Sequence, residues 1–505
     1  MEGPGARWDE ERVSIMRQAA TITKNFVVLV VGRASEMVTH FVLAIFLARY
    51  LGATDYGVFT TIFSFIFFGG LLANFGLGPV IVRAVSRSKE DVDYIYSNAL
   101  TMMTVFSIVA WAVAIIATLM VDYEPRIVRL IALACSTILL HGMRQSSASI
   151  IRAFERMEIT TGLNLLFSVG QTVIAIGLLI AGYGLEAQVV LAIAASFLWT
   201  FALLVVVGRY FARFRFNIDI KFCFRLFTDG LPIALIQAMG LITQRIDIIM
   251  LSFMTGVTSV GLYGVAFRFL RVIRIFQGSL SGTLLPNMAA RFARSVEATK
   301  RTYETALRVS ILFALPTAVV IGAGSDVIVG RMFGQEYLNG GSAVALRILV
   351  WAFCLNVISG PVGTFVIACD VNIFQFAPYA ASIAVLNIVL NSFLIPRYDF
   401  YGASVSTVIC SAANLIIKIY WVNRLLADWK VVLRILVRPT GAAGLMALVM
   451  YWLRGMGLAV TLPVGLATYL AVLVGSGELT RKDIGRIRSV GSELGNRAKE
   501  LILMD

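Results

Sequence analysis

Runs of apolar residues, each long enough to cross a membrane as a helix, follow one another along most of the chain. A spanning helix needs about 20 mostly apolar residues, and fourteen blocks meet this requirement. None shows the alternation of apolar and polar residues that marks a strand of a membrane barrel. The pattern predicts an all-α polytopic membrane protein with about 14 transmembrane helices. The blocks cover residues 26–48, 58–82, 96–121, 130–150, 163–182, 187–208, 230–253, 261–288, 306–323, 342–368, 374–395, 402–423, 433–453 and 457–475.

The basic residues between these blocks predict the orientation of the chain. If the N-terminus is inside and the helices alternate in direction, 30 Lys and Arg residues fall on the inner side and 6 in outer loops. Cytoplasmic loops of membrane proteins are enriched in Lys and Arg. We therefore expect both termini in the cytoplasm and the protein in a plasma membrane, with the bacterial inner membrane as the expected location.

The composition agrees with a membrane protein and excludes several functions. Hydrophobic residues make up 59% of the chain and charged residues 14%, and the mean hydropathy is +0.84. Soluble domains carry about 25% charged residues, so a soluble enzyme is excluded. The net charge of +14 is explained by the cytoplasmic loops, and no nucleic-acid partner is expected. The motifs of catalytic, cofactor and metal sites are missing from the sequence, which predicts no catalytic residue, no cofactor and no metal.

An internal repeat divides the chain into two related parts. The segment Gly52–Phe59 recurs as Gly256–Tyr263, with Gly, Thr and Gly at the same spacing. Both copies follow an odd-numbered span at an outer turn, and six spans separate them. The two copies therefore have the same orientation, which predicts a parallel duplication of a six-helix bundle.

The repeat and the spans together predict six regions. A cytoplasmic segment is followed by a bundle, a cytoplasmic linker, a second bundle, two extra helices and a tail. The tail alternates apolar and basic residues at helical spacing, so we expect an amphipathic helix on the membrane surface. The regions are residues 1–25, 26–208, 209–229, 230–423, 424–475 and 476–505.

Two motifs resemble the signatures of a known transporter family. Residues 47–57 read Leu-Ala-Arg-Tyr-Leu-Gly-Ala-Thr-Asp-Tyr-Gly, and the segment Arg245–Tyr263 leads to Ala266. The chain resembles the polysaccharide flippases of the multidrug/oligosaccharidyl-lipid/polysaccharide exporter superfamily over nearly its whole length. The resemblance implies alternating-access transport of a polyprenyl-diphosphate-linked glycan, for lipopolysaccharide or exopolysaccharide biosynthesis. Membrane lipids, a polysaccharide polymerase and glycosyltransferases are the other partners it implies.

Arginines inside the predicted spans are candidate substrate-binding residues. Arg268, Arg271 and Arg274 are spaced three residues apart near the middle of one span, so they share an arc of roughly 120°. Guanidinium groups bind phosphate oxygens in pairs, and a diphosphate would suit this strip. Arg245 and Arg33 are further candidates. The alternative is that these charges pair with acids on neighbouring helices.

Three other ionisable residues are candidates for ion coupling. Glu36 and His40 share a helix face with Arg33, and Asp247 lies in the seventh span. A carboxylate or imidazole in a wet cavity can exchange a proton. The alternative for Glu36 and His40 is a buried ion pair that fixes helix packing.

Three alternative functions remain open from the sequence. A cation-coupled multidrug exporter of the same superfamily would need acids in its cavity, whereas five mid-span arginines stand here against two acids. A lipid II flippase also fits a cationic cavity and two extra helices. A membrane glycosyltransferase or polymerase would need a large outer loop, and no outer loop exceeds roughly 20 residues.

Overall fold

The computed structural model describes residues 4–215, 218–292, 295–369, 373–426 and 430–478. Over these residues the chain is built of helices and short turns, without a strand. The helices are α1 (Pro4–Asn74), α2 (Leu77–Arg87), α3 (Val92–Leu119), α4 (Pro125–Leu139), α5 (His141–Ala153), α6 (Met157–Ile180), α7 (Leu185–Tyr210), α8 (Ile220–Met254), α9 (Val257–Phe292), α10 (Val296–Met332), α11 (Gln335–Asn339), α12 (Ser342–Ala368), α13 (Ile373–Leu426), α14 (Lys430–Trp452) and α15 (Leu458–Gly475).

The helices confirm the predicted polytopic all-α fold. Eleven stretches of the described chain are long and apolar enough to cross a membrane. Two of them, Ala34–Arg87 and Pro378–Arg424, each contain two of the predicted blocks. The block at 261–288 lies in α9, and Val257–Phe269 is an apolar stretch among the described residues of this helix. Every predicted block thus coincides with a helix or with two consecutive helices.

Two of the longest helices each consist of two arms joined at one residue. Gly52, with φ 75° and ψ 176°, divides α1 into a first and a second arm. Asp399, with φ 51°, divides α13 in the same way. Positive φ favours glycine and tolerates Asp better than most other residues. The Asp399 carboxylate accepts a hydrogen bond of 2.7 Å from Ser259 Oγ, which holds this turn in place.

Some spans contain a break that the apolar pattern does not reveal. α1 ends at Asn74 and α2 begins at Leu77, with Gly76 between them at φ 68°. A Cβ atom at Gly76 would lie 2.5 Å from the carbonyl oxygen of Gly230, so the turn packs directly on α8. α4 and α5 likewise meet at Leu140, inside a single predicted span.

The chain forms two compact units. The first comprises residues 1–275, 329–345 and 372–410, and the second comprises residues 276–328, 346–371 and 411–505. The apolar core of the first unit takes buried residues from five helices. These helices are α2, α3, α5, α7 and α8, and a buried residue of each is, in the same order, Ile81, Met103, Ile151, Leu203 and Leu226. The boundaries of these units differ from those of the sequence repeat, and the six regions predicted from the sequence remain a prediction.

In the second unit, α15 packs on α14 and reaches α10. A Cβ atom at Gly465 would lie 2.7 Å from the Met450 side chain, so the two helices approach closely there. The Tyr469 hydroxyl donates to the carbonyl oxygen of Leu312 at 3.3 Å. Small residues allow helices to approach closely where lipid removes the hydrophobic drive for association. The tail beyond residue 478, predicted to be amphipathic, lies outside the described residues.

The predicted linker is anchored to the first unit at Asp219. Its side chain caps α8 by accepting a 2.8 Å hydrogen bond from the backbone N–H of Lys221. Its other oxygen accepts a 2.7 Å bond from the Tyr94 hydroxyl. Chiefly through this bond from Tyr94, and also through the backbone N–H of Phe222, the pKa of the Asp219 carboxyl is held below its usual value.

Candidate functional site

The two copies of the repeat contact each other in the first compact unit. Thr54 Oγ1 and Thr258 Oγ1 lie 3.0 Å apart, and the two residues are separated by 204 positions. A Cβ atom at Gly57 would lie 1.8 Å from the carbonyl oxygen of Val257. A Cβ atom at Gly261 would lie 1.9 Å from the carbonyl oxygen of Ala53, the residue of the first copy that corresponds to Val257. Only glycine fits at both positions, because any side chain would overlap backbone. The contact is therefore symmetric with respect to the repeat.

The second arm of α1 is held at its start by α11. The first backbone N–H of this arm, on Ala53, donates to Glu336 Oε1 at 2.8 Å. The Tyr337 hydroxyl donates to the carbonyl oxygen of Ala48, on the other side of the turn, at 3.0 Å. A carboxylate at a helix N-terminus is favourable because it satisfies a free N–H and opposes the helix dipole. The break at Gly52 is thus built into the fold.

Two of the predicted arginines lie against aromatic rings of this second arm. The guanidinium carbon of Arg268, on α9, is 5.5 Å from the ring centre of Tyr56. That of Arg245, on α8, is 5.3 Å from the ring centre of Phe67. Tyr56 and Phe67 are eleven residues apart, about three helical turns, so both rings project from one face of the arm. Cation–π contact of this kind attracts a guanidinium to the face of an aromatic ring.

The other three predicted substrate-binding residues cannot be placed in this site. The side chains of Arg33, Arg271 and Arg274 lie outside the described residues. The backbone continues as helix through all three positions. Their role remains a prediction.

Asp247 lies in a buried polar cluster. The side chain is 3% exposed, and its Oδ2 accepts a hydrogen bond from the Tyr263 hydroxyl. That hydroxyl lies 3.4 Å from Thr407 Oγ1 on the second arm of α13.

Further polar side chains are buried on α13 close to Thr407. Asn391 Nδ2 donates to Asn387 Oδ1 at 3.2 Å, and Asn387 Nδ2 lies 3.6 Å from the sulfur of Cys410, one turn beyond Thr407. Carboxylate, hydroxyl and amide oxygens are the groups that bind hard cations, and a carboxylate can also take up a proton. The arrangement can serve either purpose.

The two ion-coupling candidates on the first arm of α1 are less enclosed. Glu36 is half-buried and His40 is exposed, and both interact with neighbouring residues. The coupling role of Glu36, His40 and Asp247 remains a prediction.

Several residues of this site were not identified from the sequence. Tyr56 and Phe67 contact arginines from other helices, and Tyr263 bonds Asp247, but none of the three was singled out. A signal was present for Tyr263, because it occupies the place of Phe59 in the repeat and differs from it by a hydroxyl. An added hydroxyl inside a membrane needs a hydrogen-bond partner.

Comparison with known proteins relates the chain to proteins of glycan biosynthesis. A family model described as "Polysaccharide biosynthesis protein" matches residues 22–292. The chain is 23% identical over 390 residues to the probable low-salt glycan biosynthesis flippase Agl15 of Haloferax volcanii, covering 75% of this chain and 78% of the relative.

Two solved structures share the fold. The lipid II flippase MurJ in an inward closed conformation superposes with a TM-score of 0.74 at 14% identity, over 89% of this chain and 99% of that one. An inward-facing multidrug resistance transporter of the MATE family, in the MOP superfamily, gives a TM-score of 0.63 at 14% identity, over 78% and 95%. At these identities the likeness shows the fold alone.

Proposed function

The chain belongs to the polysaccharide biosynthesis protein family, and we propose that it is a flippase for a lipid-linked oligosaccharide carried on polyprenyl diphosphate. Multi-pass helices place it in a membrane, and a plasma membrane with both termini in the cytoplasm fits its basic loops. Glycosyltransferases that build the glycan and a polymerase that consumes it are its expected partners. The Haloferax relative, named as a probable glycan biosynthesis flippase, supports this class of cargo.

The observation that carries the proposal is that two arginines from other helices contact the second arm of α1. Arg245 and Arg268 come from different helices and contact the same arm. A diphosphate presents several oxygens that two guanidinium groups can bind together. A cationic drug would be repelled by these groups, and Asp247 is engaged with Tyr263 in a buried cluster. The charge of the site therefore favours an anionic cargo over the multidrug alternative.

The repeat contact supports a transport cycle of alternating access. On the predicted topology, Thr54 and Thr258 are at the outer side, where they join the two halves of the repeat. Release of cargo to the outside requires this contact to open. The turn at Gly52 is a place where the second arm of α1 can change direction, because glycine tolerates a wide range of backbone angles.

Coupling to an ion gradient is proposed at Asp247. Its carboxylate can be neutralised by a proton or by a monovalent cation held with the nearby hydroxyl and amide oxygens. Binding changes the charge of a buried group, which alters the stability of the helix arrangement around it. This is how a gradient could bias the cycle without ATP.

A reconstituted flipping assay tests the function directly. The purified chain is placed in vesicles that contain a fluorescent polyprenyl-diphosphate oligosaccharide, and a membrane-impermeant quencher reports the lipid that crosses. We expect crossing that depends on the protein and is reduced by Arg268→Ala. Parallel vesicles carry lipid II or the cation ethidium. Transport of ethidium without glycan would establish the multidrug alternative, and movement of lipid II alone would establish the lipid II alternative.

A further inference from the structure

A second arginine-containing cluster, formed by Arg144, His141 and Trp199, lies inside the first compact unit. Arg144 is on α5, three residues after the break between α4 and α5. Its Nη2 donates to Nδ1 of His141 at 3.0 Å, and its guanidinium carbon lies 4.5 Å from the ring centre of Trp199 on α7. The cluster therefore joins α5 and α7, within the apolar stretches Pro125–Ala153 and Leu185–Tyr210.

The positive charge of Arg144 is not balanced by an acid. Within the part of the chain that the structure describes, its partners are His141 and Trp199, and neither carries a negative charge. A guanidinium keeps its proton even when buried. A charge at membrane depth is costly unless an opposite charge or water compensates it. An aromatic ring supplies only part of that compensation.

The groups around Arg144 can donate hydrogen bonds but have little to accept them. Because Nδ1 of His141 accepts from Arg144, the proton of the neutral ring is on Nε2, which is then a donor. The indole N–H of Trp199 is buried and finds no acceptor among the described residues. Buried N–H groups without a partner are rare in folded proteins. A buried N–H without an acceptor in the described part of the chain thus lies on the ring that the Arg144 guanidinium contacts, and the Nε2–H of His141 is a further donor of the same cluster.

The backbone makes room for this cluster at Gly70. A Cβ atom there would lie 2.9 Å from Cε1 of His141. The imidazole can occupy its position only because α1 has no side chain at that point, so a residue larger than glycine would displace the ring from Arg144. The position of His141 is therefore fixed by the fold.

We propose that Arg144, His141 and Trp199 bind a small monovalent anion such as chloride. One negative charge neutralises the single guanidinium and accepts the N–H groups around it. A diphosphate carries more than one negative charge, and it would leave the cluster with a net negative charge in apolar surroundings. The anion stabilises the first compact unit and is separate from the proposed cargo.

Thermal unfolding of the purified full-length chain tests the site. The melting temperature Tm is measured in sodium chloride and in sodium gluconate at equal ionic strength. We expect Tm to rise with chloride until it saturates, and bromide to act like chloride. Trp199→Phe keeps the ring but removes the N–H, and it should weaken the apparent chloride affinity about tenfold, the usual effect of losing a hydrogen bond to a charged group. Arg144→Gln should remove the chloride dependence.

Arg291→Gln is the matched control, because it removes the same charge from an exposed position and should leave the chloride dependence intact. An equal Tm of the unaltered protein in chloride and gluconate would overturn the proposal. So would an unchanged chloride affinity in Trp199→Phe, since the anion would then bind elsewhere. Stabilisation by pyrophosphate without any response to chloride would also overturn it and assign the cluster to the cargo. If the Arg144→Gln variant does not accumulate in the membrane, the chloride dependence of Tm in the unaltered protein and in Trp199→Phe still tests the proposal.

Discussion

Arg268 carries the proposed cargo contact most directly, because its guanidinium is held on Tyr56 while its N–H groups can still bind an anion. Arg268→Ala removes both the charge and the paired hydrogen bonds to phosphate. A hydrogen bond to a charged group contributes about 1.5–3 kcal/mol, so the glycan flipping rate should fall about tenfold or more. Arg268→Lys keeps the charge but loses the planar guanidinium with its paired N–H donors. The glycan flipping rate of this variant should therefore lie between those of Arg268→Ala and the unaltered protein.

Arg397→Ala is the control for this series, because Arg397 is exposed and lies on a different helix. It should flip the glycan at the unaltered rate. The cargo assignment fails if Arg268→Ala, present at a normal level in the membrane, also flips glycan at that rate.

We expect ion coupling to require the carboxylate of Asp247 but not that of Glu36. Asp247→Asn preserves the shape of the side chain and its ability to accept from Tyr263, but it cannot take up a proton or attract a cation with a full charge. Transport by this variant should no longer respond to a proton or sodium gradient. Glu36→Gln should keep the response, since Glu36 is only half-buried on the first arm of α1. Gradient-dependent flux measured in the same vesicles separates the two, and loss of transport in Glu36→Gln alone would move the coupling site to α1.

At the scale of helices, the crossing at Gly57 and Gly261 depends on the absence of side chains. Gly57→Ala would place a Cβ atom 1.8 Å from a backbone oxygen of α9, so the helices must move apart. Overpacking of this kind costs about 1–3 kcal/mol. Gly57→Ala and Gly261→Ala should lower Tm by similar amounts, because the repeat makes the two contacts equivalent.

Gly170→Ala is the matched control for the crossing. Nothing lies within 4 Å of a Cβ atom at this position of α6, so the substitution should leave Tm unchanged or raise it slightly. A Tm for Gly57→Ala that equals that of the unaltered protein would show that the close crossing is not part of the stable fold.

The anchoring of α8 should depend on pH through Asp219. Because its pKa in the folded protein lies below the ordinary value, the stabilisation is present above the unfolded pKa, about 3.9, and is lost as pH falls through the folded pKa. Asp219→Asn should lower Tm at neutral pH, and the difference from the unaltered protein should shrink on acidification. A difference that does not change with pH would exclude the carboxylate as its cause.

Element positions were predictable from the sequence, and contacts between distant elements were not. Apolar length located every span, and Gly52 indicated the turn in α1. The breaks at Gly76 and Leu140 escaped prediction because each lies inside a block that is long enough to span a membrane without interruption. The contact of Arg268 with Tyr56 escaped because it joins helices about two hundred residues apart, and helical periodicity reports only which residues share one face. The repeat identified Thr54 and Thr258 as equivalent without indicating that they touch.

At the scale of the whole molecule, a cycle of alternating access requires the repeat contact to open. Thr54 and Thr258 are exposed, with their hydroxyls 3.0 Å apart. A Thr54→Cys and Thr258→Cys pair should therefore form a disulfide under mild oxidation. If the cycle opens this contact, the cross-link should stop glycan flipping, and reduction should restore it. The flipping assay measures both states on one preparation.

A second cross-link distinguishes blocked motion from general damage by cross-linking. Arg126 and Glu186 form an exposed ion pair of 2.7 Å between α4 and α7, both of which belong to the predicted first bundle. An Arg126→Cys and Glu186→Cys pair, bridged by a bis-maleimide long enough to replace the two side chains, joins helices that are expected to move together, so this link should leave flipping unchanged. The five native cysteines are free, and the unaltered chain under each treatment shows their effect. If the link between residues 54 and 258 forms fully and flipping continues, the repeat contact does not open during transport, and the cargo must cross by a path that leaves this contact closed.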